Sequence, residues 1–257
     1  MSRVHFGLLI RFCLLSKVRL SWSLSDLRVD YGLSVSQVVL MCRYLKMWGV
    51  VCELDESLDT LRFPYVMCFL SKDCLVDAFN NIDVEVFSML GSTNDYCMTY
   101  VDAIGKPKLV LAEYQSGGKG QYDRCWDAAF ASNILMSYCV HSAHRCDWSG
   151  FSWDLGREIC ARLNDLFDKH TFVCKYPNDI LCGTRKLAGI LVESRMQGDS
   201  QKVVVGLGVN VHSPYADNFI EDRVSLYQLT RTHHDRTALV VQLLEVISGL
   251  VDARLKD

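Results

Sequence analysis

Cys174–Glu193 reads CKYPNDILCGTRKLAGILVE. An apolar strand over Thr171–Cys174 runs into a Pro-Asn-Asp turn, where Pro177 presets φ and Asn178 and Asp179 can bond their own backbone. A second short strand follows, then a Gly-Thr-Arg hairpin in which Gly183 supplies the positive φ that tight loops favour. The strand after it is apolar but carries Gly189, where another group can approach the backbone closely. Lys175 enters the turn and Lys186 leaves the hairpin, and lysines beside a Gly-lined strand suit a phosphate or carboxylate. The residues alone leave two readings, an ordinary hairpin with solvated lysines or an anion site.

The 257 residues can hold one large domain or two ordinary ones. Half of them are hydrophobic and 22% are charged, which suits a globular chain with a sizeable core. A net charge of −3 argues against a protein dominated by nucleic-acid contacts, though not against a small DNA-binding module. The twelve cysteines are scattered without a C-x-x-C pair. Cys13, Cys42, Cys139 and Cys160 sit in apolar periodic stretches as small hydrophobes, a pattern that suits a reducing cytoplasm. The apolar run Phe6–Leu15 is broken by Arg11 and lacks a small-residue cleavage site, so no signal peptide is expected. No stretch has the length of a membrane span, and Glu245 interrupts the best late one. A soluble cytoplasmic protein without membrane contact is expected.

Residues 1–48 read as three helices. Phe6, Leu9, Ile10, Cys13 and Leu14 form an apolar stripe on the first. Ser23 caps a second helix that runs through Tyr31 and closes at Gly32, and Ser34 opens a third over Val35–Trp48. Helix, Gly-containing turn and helix make a helix-turn-helix, with Val50–Glu53 and Thr60–Phe63 as the strands of a wing. The wing tip carries Glu53, Asp55, Glu56 and Asp59 where a phosphate contact wants lysine or arginine. That chemistry argues against DNA as a partner and favours packing or dimer contacts. Ser71 caps a short helix across Cys74–Phe79 between the domains.

Strand Val84–Leu90 ends in Gly91-Ser92-Thr93-Asn94-Asp95, residue types that cap a following helix. Strand Lys108–Glu113 leads into Gln115-Ser116-Gly117-Gly118-Lys119-Gly120-Gln121, a loop whose amides can cradle an anion. Arg124-Cys125-Trp126 follows, then a strand over Ala131–Val140 and an amphipathic helix over Trp153–Phe167. In strand Lys202–Val209, Gly206 and Gly208 share one face and leave either a slot or a crowded interior. Asn210 ends that strand. A long helix over Thr237–Leu255 is apolar at Leu239, Leu243, Val246, Ile247 and Leu250. Cys139, His141, His144 and Cys146 are metal-capable types, but their spacing matches no common finger and no metal site is expected.

KYPNDI and RKLAGILVE, in register, resemble the signature of biotin protein ligases, in which K-W-P-N-D and R-K-L-A-G-I-L-V-E occur together. The Ser92-Thr93-Asn94 junction, the Gly-rich loop and the GLGVN segment ending at Asn210 then fall in family order. The resemblance implies an α+β protein: an N-terminal winged helix-turn-helix over residues 1–65, then a class II synthetase-like catalytic domain over 66–257, with a mixed β-sheet covered by helices. It implies that ATP, with Mg²⁺, activates biotin as biotinyl-5′-AMP. A lysine of the biotin carboxyl carrier protein of acetyl-CoA carboxylase then receives the biotin. The biotin contacts it implies are Ser92, Thr93, Asn94, Gln115, Lys119, Lys186, Gly189, Gly206 and Gly208. The ATP and adenylate contacts are Gly118, Gly120, Gln121, Arg124, Trp126, Lys175, Asn178, Asp179 and Asn210. Lys186 is the implied catalytic residue, lying on the biotin carboxyl and the α-phosphate, where a fixed cation is worth several kcal/mol. The family also suggests a homodimer coupled to loop order, which no pattern in the sequence shows.

The likeness breaks in the ligand loop. The family's two arginines are Lys119 and Gln121 here, and a glycine is Asp123. A neutral glutamine cannot make the bidentate, charge-assisted contact of arginine with phosphate, so weaker retention of the adenylate is expected. Repressor-type members continue into a small SH3-like β-domain, of which no counterpart is expected here. Two rival readings stand beside the ligase. A lipoate or octanoyl ligase shares the catalytic fold, but RKLAGILVE and Ser-Thr-Asn speak against it. A biotin-responsive regulator with little ligase activity is suggested by Gln121, the lacking module and the winged helix.

Overall fold

The structure, a computed structural model, describes residues 21–47, 52–63, 69–100, 105–122, 124–213 and 222–256. The stripe of Phe6–Leu15, the Trp48-Gly49-Val50 segment and Asp123 lie outside these residues. The chain divides into two compact units, one of residues 1–68 with 129–131, the other of residues 69–128 and 132–257.

In the first unit, β1 (Ser21–Ser23), α1 (Leu24–Tyr31), α2 (Val35–Met47), β2 (Glu53–Asp55) and β3 (Thr60–Arg62) follow in order. The strands form an antiparallel sheet in the order β1-β3-β2. Ser23 Oγ accepts the Asp26 N–H at 2.9 Å and so caps α1. Gly32 ends the helix at φ +66, with its N–H on the Arg28 carbonyl. Leu27, Met41, Leu45 and Leu61 are fully buried and make the core of this unit. Two expectations change. The second strand starts at Glu53, which leaves only Glu56–Asp59 for the turn, and β1 was not anticipated because three residues carry no periodic signal.

The second unit begins with α3 (Lys72–Ala78), capped by Ser71, then β4 (Asp83–Phe87), α4 (Thr93–Tyr100) and β5 (Lys108–Ala112). β6 (Ile134–Ser142), α5 (Phe151–Leu166), β7 (Phe172–Lys175), β8 (Asp179–Cys182), β9 (Arg185–Gln197) and β10 (Ser200–Val209) follow. α6 (Leu226–Thr230) and α7 (Arg236–Arg254) complete it. The strands make a seven-stranded sheet in the order β4-β5-β6-β10-β9-β8-β7, with β4–β5 parallel and the other pairs antiparallel.

Alternation along the strands divides the sheet into two faces. Met136, Tyr138, Ile190, Val203, Val205 and Leu207 face the main core, where they meet Leu155 and Ile159 of α5 and Leu243, Leu244 and Ile247 of α7. The opposite face carries Ser137 and three glycines: Ser137 pairs with Gly206, and Gly208 lies between Leu135 and Gly189. α4 packs on that face, with Cys97 against Cys139, Val110 and Val204. The helix that covers it is short, so the sheet beyond it is left open as a cleft.

The first turn of α7 is tied in by a buried pair. Arg236, 1% exposed, donates to Glu113 Oε2 at 2.7 Å and to the Asn133 carbonyl at 2.8 Å. Glu113 Oε1 accepts the Leu70 N–H at 2.7 Å. Further hydrogen bonds of this kind help to sustain a buried ion pair. His212 sits after β10 with its N–H on the Ser132 carbonyl and its Nε2 accepting the His234 N–H at 2.9 Å. Among the described residues no helix is long and apolar enough to cross a membrane, and no group of three or more His, Cys, Asp or Glu converges as metal ligands do.

Candidate active site

The open face of the sheet forms the floor of a cleft of about 470 Å³. Its walls come from the β4–α4 junction, the Gly-rich loop, the β7–β8 turn and the segment Asp222–Arg223. The sequence-expected residues converge there: all of them line it except Gly118 and Asn210.

One wall is a chain of hydrogen bonds. Gln115 Oε1 accepts from the Thr93 N–H at 2.6 Å and the Thr93 hydroxyl at 2.9 Å. Ser137 Oγ lies 2.8 Å from Thr93 Oγ1 and 2.5 Å from Asn94 Oδ1. Asn94 Nδ2 donates to Glu193 Oε2 at 2.7 Å and to the Leu191 carbonyl at 3.3 Å. Ser92 is buried and turns its hydroxyl to the Asp95 N–H, the capping role its residue type predicts. The chain thus crosses from the β4–α4 junction over β6 to β9, and the tight register of β6, β10 and β9 brings its members together.

Lys186 stands on the first residues of β9. Its Nζ is 2.6 Å from Asp179 Oδ1 and 5.3 Å from the centroid of the Trp126 ring. Its backbone is held on both sides, the N–H by the Asp222 carbonyl at 2.7 Å and the carbonyl by the Val224 N–H at 3.0 Å. Asn210 donates its carboxamide to the same Lys186 carbonyl at 3.3 Å. Asn210 therefore supports the lysine from outside the cleft lining. Asn178 does not bond its own turn either; its Nδ2 donates to the Ile190 carbonyl at 2.7 Å and pins the turn to β9. The Tyr176–Pro177 peptide bond in that turn is cis, and Lys175 is exposed beside it.

The slot expected over the glycines is filled. The Asn94 carboxamide lies over Gly206, and the Trp126 indole lies over Gly208 and Gly189, where added Cβ atoms would meet it at 2.5 and 3.0 Å. Removing two side chains from β10 and one from β9 makes room for side chains arriving from α4 and the loop. The Trp126 Nε1 is buried without a hydrogen-bond partner among the described residues, a donor turned into the cleft floor.

The Gly-rich loop folds back as a small hairpin in place of an open anion cradle. The Gly120 N–H is bonded to the Arg124 carbonyl at 2.7 Å, and the Gly118 carbonyl accepts the Trp126 N–H at 2.8 Å. Gly118 itself is needed because a Cβ there would meet the Trp126 carbonyl. Lys119 is paired with Asp95 at 2.7 Å, Gln121 is half-buried and Arg124 exposed. Cys139, His141 and Cys146 are used separately: Cys139 in the core beside Cys97, His141 against Gln197, Cys146 against Ser142.

Sequence reasoning missed Ser137 and Glu193 as members of the site. Ser137 is the hydroxyl residue in the otherwise apolar Ile134–Val140 run, and its period-two partner across the strands is Gly206, which could have marked it. Glu193 stood in plain view at the end of the signature stretch. Asp222 and Arg223 carry no pattern that points to the cleft.

Residues 86–210 match the biotin/lipoate A/B protein ligase family. A bifunctional ligase/repressor BirA of Salmonella typhimurium is 31% identical over 183 residues, 70% of this chain and 56% of that protein. A biotin–[acetyl-CoA-carboxylase] ligase of Mycobacterium tuberculosis is 26% identical over 178 residues, 65% of this chain and 64% of that protein. The chain thus spans little more than half the length of the Salmonella relative. In fold it is similar to the biotin protein ligase of Aquifex aeolicus solved with biotin and ATP, at a TM-score of 0.57 and 23% identity, over 66% of this chain and 70% of that one. The mixed sheet and the signature on β8 and β9 agree with this likeness, and the segment that carries it, residues 86–210, resembles the biotin/lipoate A/B protein ligase family.

Proposed function

We propose that this chain is a biotin protein ligase, which joins biotin to ATP as biotinyl-5′-AMP and passes it to a lysine of a biotin carrier domain. The observation that carries the reading is the cleft itself. It brings a rigidly seated lysine and a wall of oriented polar groups to one floor of glycines. A biotin ring offers N–H and C=O groups to such a wall. A dithiolane ring or an octanoyl chain offers neither, and buried polar groups left unpaired would oppose its binding. The reading therefore favours biotin over lipoate.

In the first step a biotin carboxylate oxygen bonds to the α-phosphorus while the bond from that phosphorus to pyrophosphate breaks. In the second the carrier amine bonds to the acyl carbon, the acyl–oxygen bond breaks, AMP leaves with the electron pair and the amine loses a proton. Both steps gather negative charge between carboxyl and phosphate, and a preplaced cation lowers their barriers. Lys186 is positioned for this: its backbone is fixed and its ammonium is kept in the cleft by Asp179 until an anionic ligand competes for it. Mg²⁺ would be held by Asp179 and Asp222, the carboxylates that line the cleft among the described residues and oxygen donors of the type it prefers, and would neutralise phosphate charge on ATP. Trp126, seated over Gly208 and Gly189, supplies a flat face for the nucleotide side. A carrier protein of acetyl-CoA carboxylase is the proposed acceptor, in keeping with the name of the Mycobacterium relative.

Residues 21–63 are read as the winged helix of this architecture: α1, the Gly32 turn and α2, followed by the β2–β3 hairpin. The acidic hairpin tip favours a packing role over operator binding.

Transfer of biotin to a purified carrier domain with MgATP tests the reading. The full chain should transfer biotin, and Lys186→Ala should lower the rate by about 100-fold or more. A wild-type chain that binds biotin but transfers none would favour the regulator; equal rates for wild type and Lys186→Ala would remove Lys186 from the chemistry.

A further inference from the structure

We propose that Glu193 is a positioning residue which, acting through Asn94 and Ser137, sets the pattern of donors and acceptors that the cleft presents to its ligand. The proposal rests on the biotin reading above and extends it to side chains with no assigned role.

Hydrogen-bond directions decide the case. Glu193 Oε2 and the Leu191 carbonyl can only accept, and they lie 2.7 and 3.3 Å from Asn94 Nδ2. The amide nitrogen therefore faces them, and Oδ1 faces Ser137 Oγ at 2.5 Å. A carboxamide oxygen can only accept, so the single Ser137 proton is committed to Asn94. At the other end the Thr93 N–H can only donate, which fixes Gln115 Oε1 against it at 2.6 Å.

Between these ends, oxygen–oxygen contacts of 2.5, 2.8 and 2.9 Å join Asn94, Ser137, Thr93 and Gln115. Two hydroxyl protons must serve these three contacts. The Thr93–Ser137 corner is thus one proton short and holds an acceptor to spare, while Gln115 keeps its NH₂ group as a donor. A ligand with an N–H beside a C=O, as in a cyclic urea, satisfies both.

Glu193 makes the shorter of the two contacts that hold this polarity. Without it only the Leu191 carbonyl, at 3.3 Å, opposes a turn of the Asn94 carboxamide that would show Nδ2 to Ser137. The Ser137 proton is then released toward Thr93, and the spare acceptor disappears. Gly206 makes the arrangement possible, since the Asn94 amide occupies the space a side chain would take.

Calorimetric titration of the full chain with biotin, alongside thermal melts, tests the idea in wild type, Glu193→Leu, Glu193→Gln and Ser137→Ala. Glu193 is half-exposed, so its variants are expected to melt close to wild type. Glu193→Leu should weaken biotin about tenfold, the effect of one misdirected buried hydrogen bond. Glu193→Gln still offers Asn94 an acceptor oxygen and should stay within about threefold of wild type. Ser137→Ala should weaken binding, and adding it to Glu193→Leu should cost little more, because both act through one chain. Unchanged affinity in Glu193→Leu, equal losses in the Leu and Gln variants, or additive losses in the double variant would overturn the proposal and leave the biotin reading standing. A wild-type chain that does not bind biotin would overturn both.

Discussion

An added Cβ at Gly206 overlaps the Asn94 carboxamide and comes within 2.9 Å of its Cγ, whereas one at Gly249 meets nothing within 4 Å. The two glycines look alike in the sequence, and their surroundings give Ala substitutions opposite signs. Asn94 is buried and bonded on three sides, so it cannot give way cheaply. Gly206→Ala is expected to destabilise the protein by about 1–3 kcal/mol, as other insertions into packed sites do, and to weaken biotin binding with it. Gly249 lies exposed in α7, where exchange for alanine removes backbone freedom from the unfolded chain. Gly249→Ala should therefore stabilise by about 0.5–1 kcal/mol. Urea melts of both variants check the pair. A neutral Gly206→Ala would mean that the Asn94 amide is not seated as described, and with it the hydrogen-bond wall of the cleft.

At the level of elements, the junction of β10 with α6 and α7 gives the molecule a pH dependence. His212 is buried, and burial first, then the nearby Arg236 guanidinium and the rings of His233 and His234, pull its pKa down from 6.5 to about 3. Below pH 6.5 the unfolded chain takes up a proton at this residue while the folded one does not, so stability falls with pH between these limits. The slope from this one group approaches about 1.4 kcal/mol per pH unit. His212→Gln keeps an acceptor for the His234 N–H and removes the titration. Its denaturation midpoints should fall less than those of wild type between pH 6 and pH 4; parallel profiles would refute the assignment. Nothing in the sequence around His212 announced this cluster, because its partners lie 20 or more residues away, as His234 does. The same holds for the Arg236–Glu113 pair, separated by 123 residues. By contrast, α1 with its Ser23 and Gly32 caps was legible because capping is local chemistry, and the Ser225–Gln228 capping box of α6 is a signal of the same kind that the sequence reading did not use. The glycines of β9 and β10 announced a close approach, but only the fold shows that Trp126 and Asn94 are what approaches.

On the scale of the whole molecule, the chain carries, besides the unit that holds the cleft, a unit with a helix-turn-helix order of elements, and charge decides what that unit can meet. α2 carries two cations, Arg43 and Lys46, both exposed. The hairpin beyond it carries Glu53, Asp55, Glu56 and Asp59. The Ser57 hydroxyl, then the Leu58 and Ser57 amides, hold the Asp55 carboxyl below its usual range, which favours its charged form. Duplex DNA repels such a surface, and each phosphate that is not neutralised forfeits the counterion release that drives binding. Fluorescence anisotropy with a 30-bp duplex should therefore show binding no tighter than the roughly 1–100 µM of nonspecific association at moderate salt, with or without biotin. Replacing Glu53, Glu56 and Asp59 by lysine should tighten it about tenfold or more and steepen its dependence on salt, since three repulsive groups become three phosphate contacts. Nanomolar binding by the unaltered chain, with a steep salt slope, would show that α2 engages DNA in spite of the hairpin. The regulator would then have to be counted beside the proposed ligase as a second role of this chain.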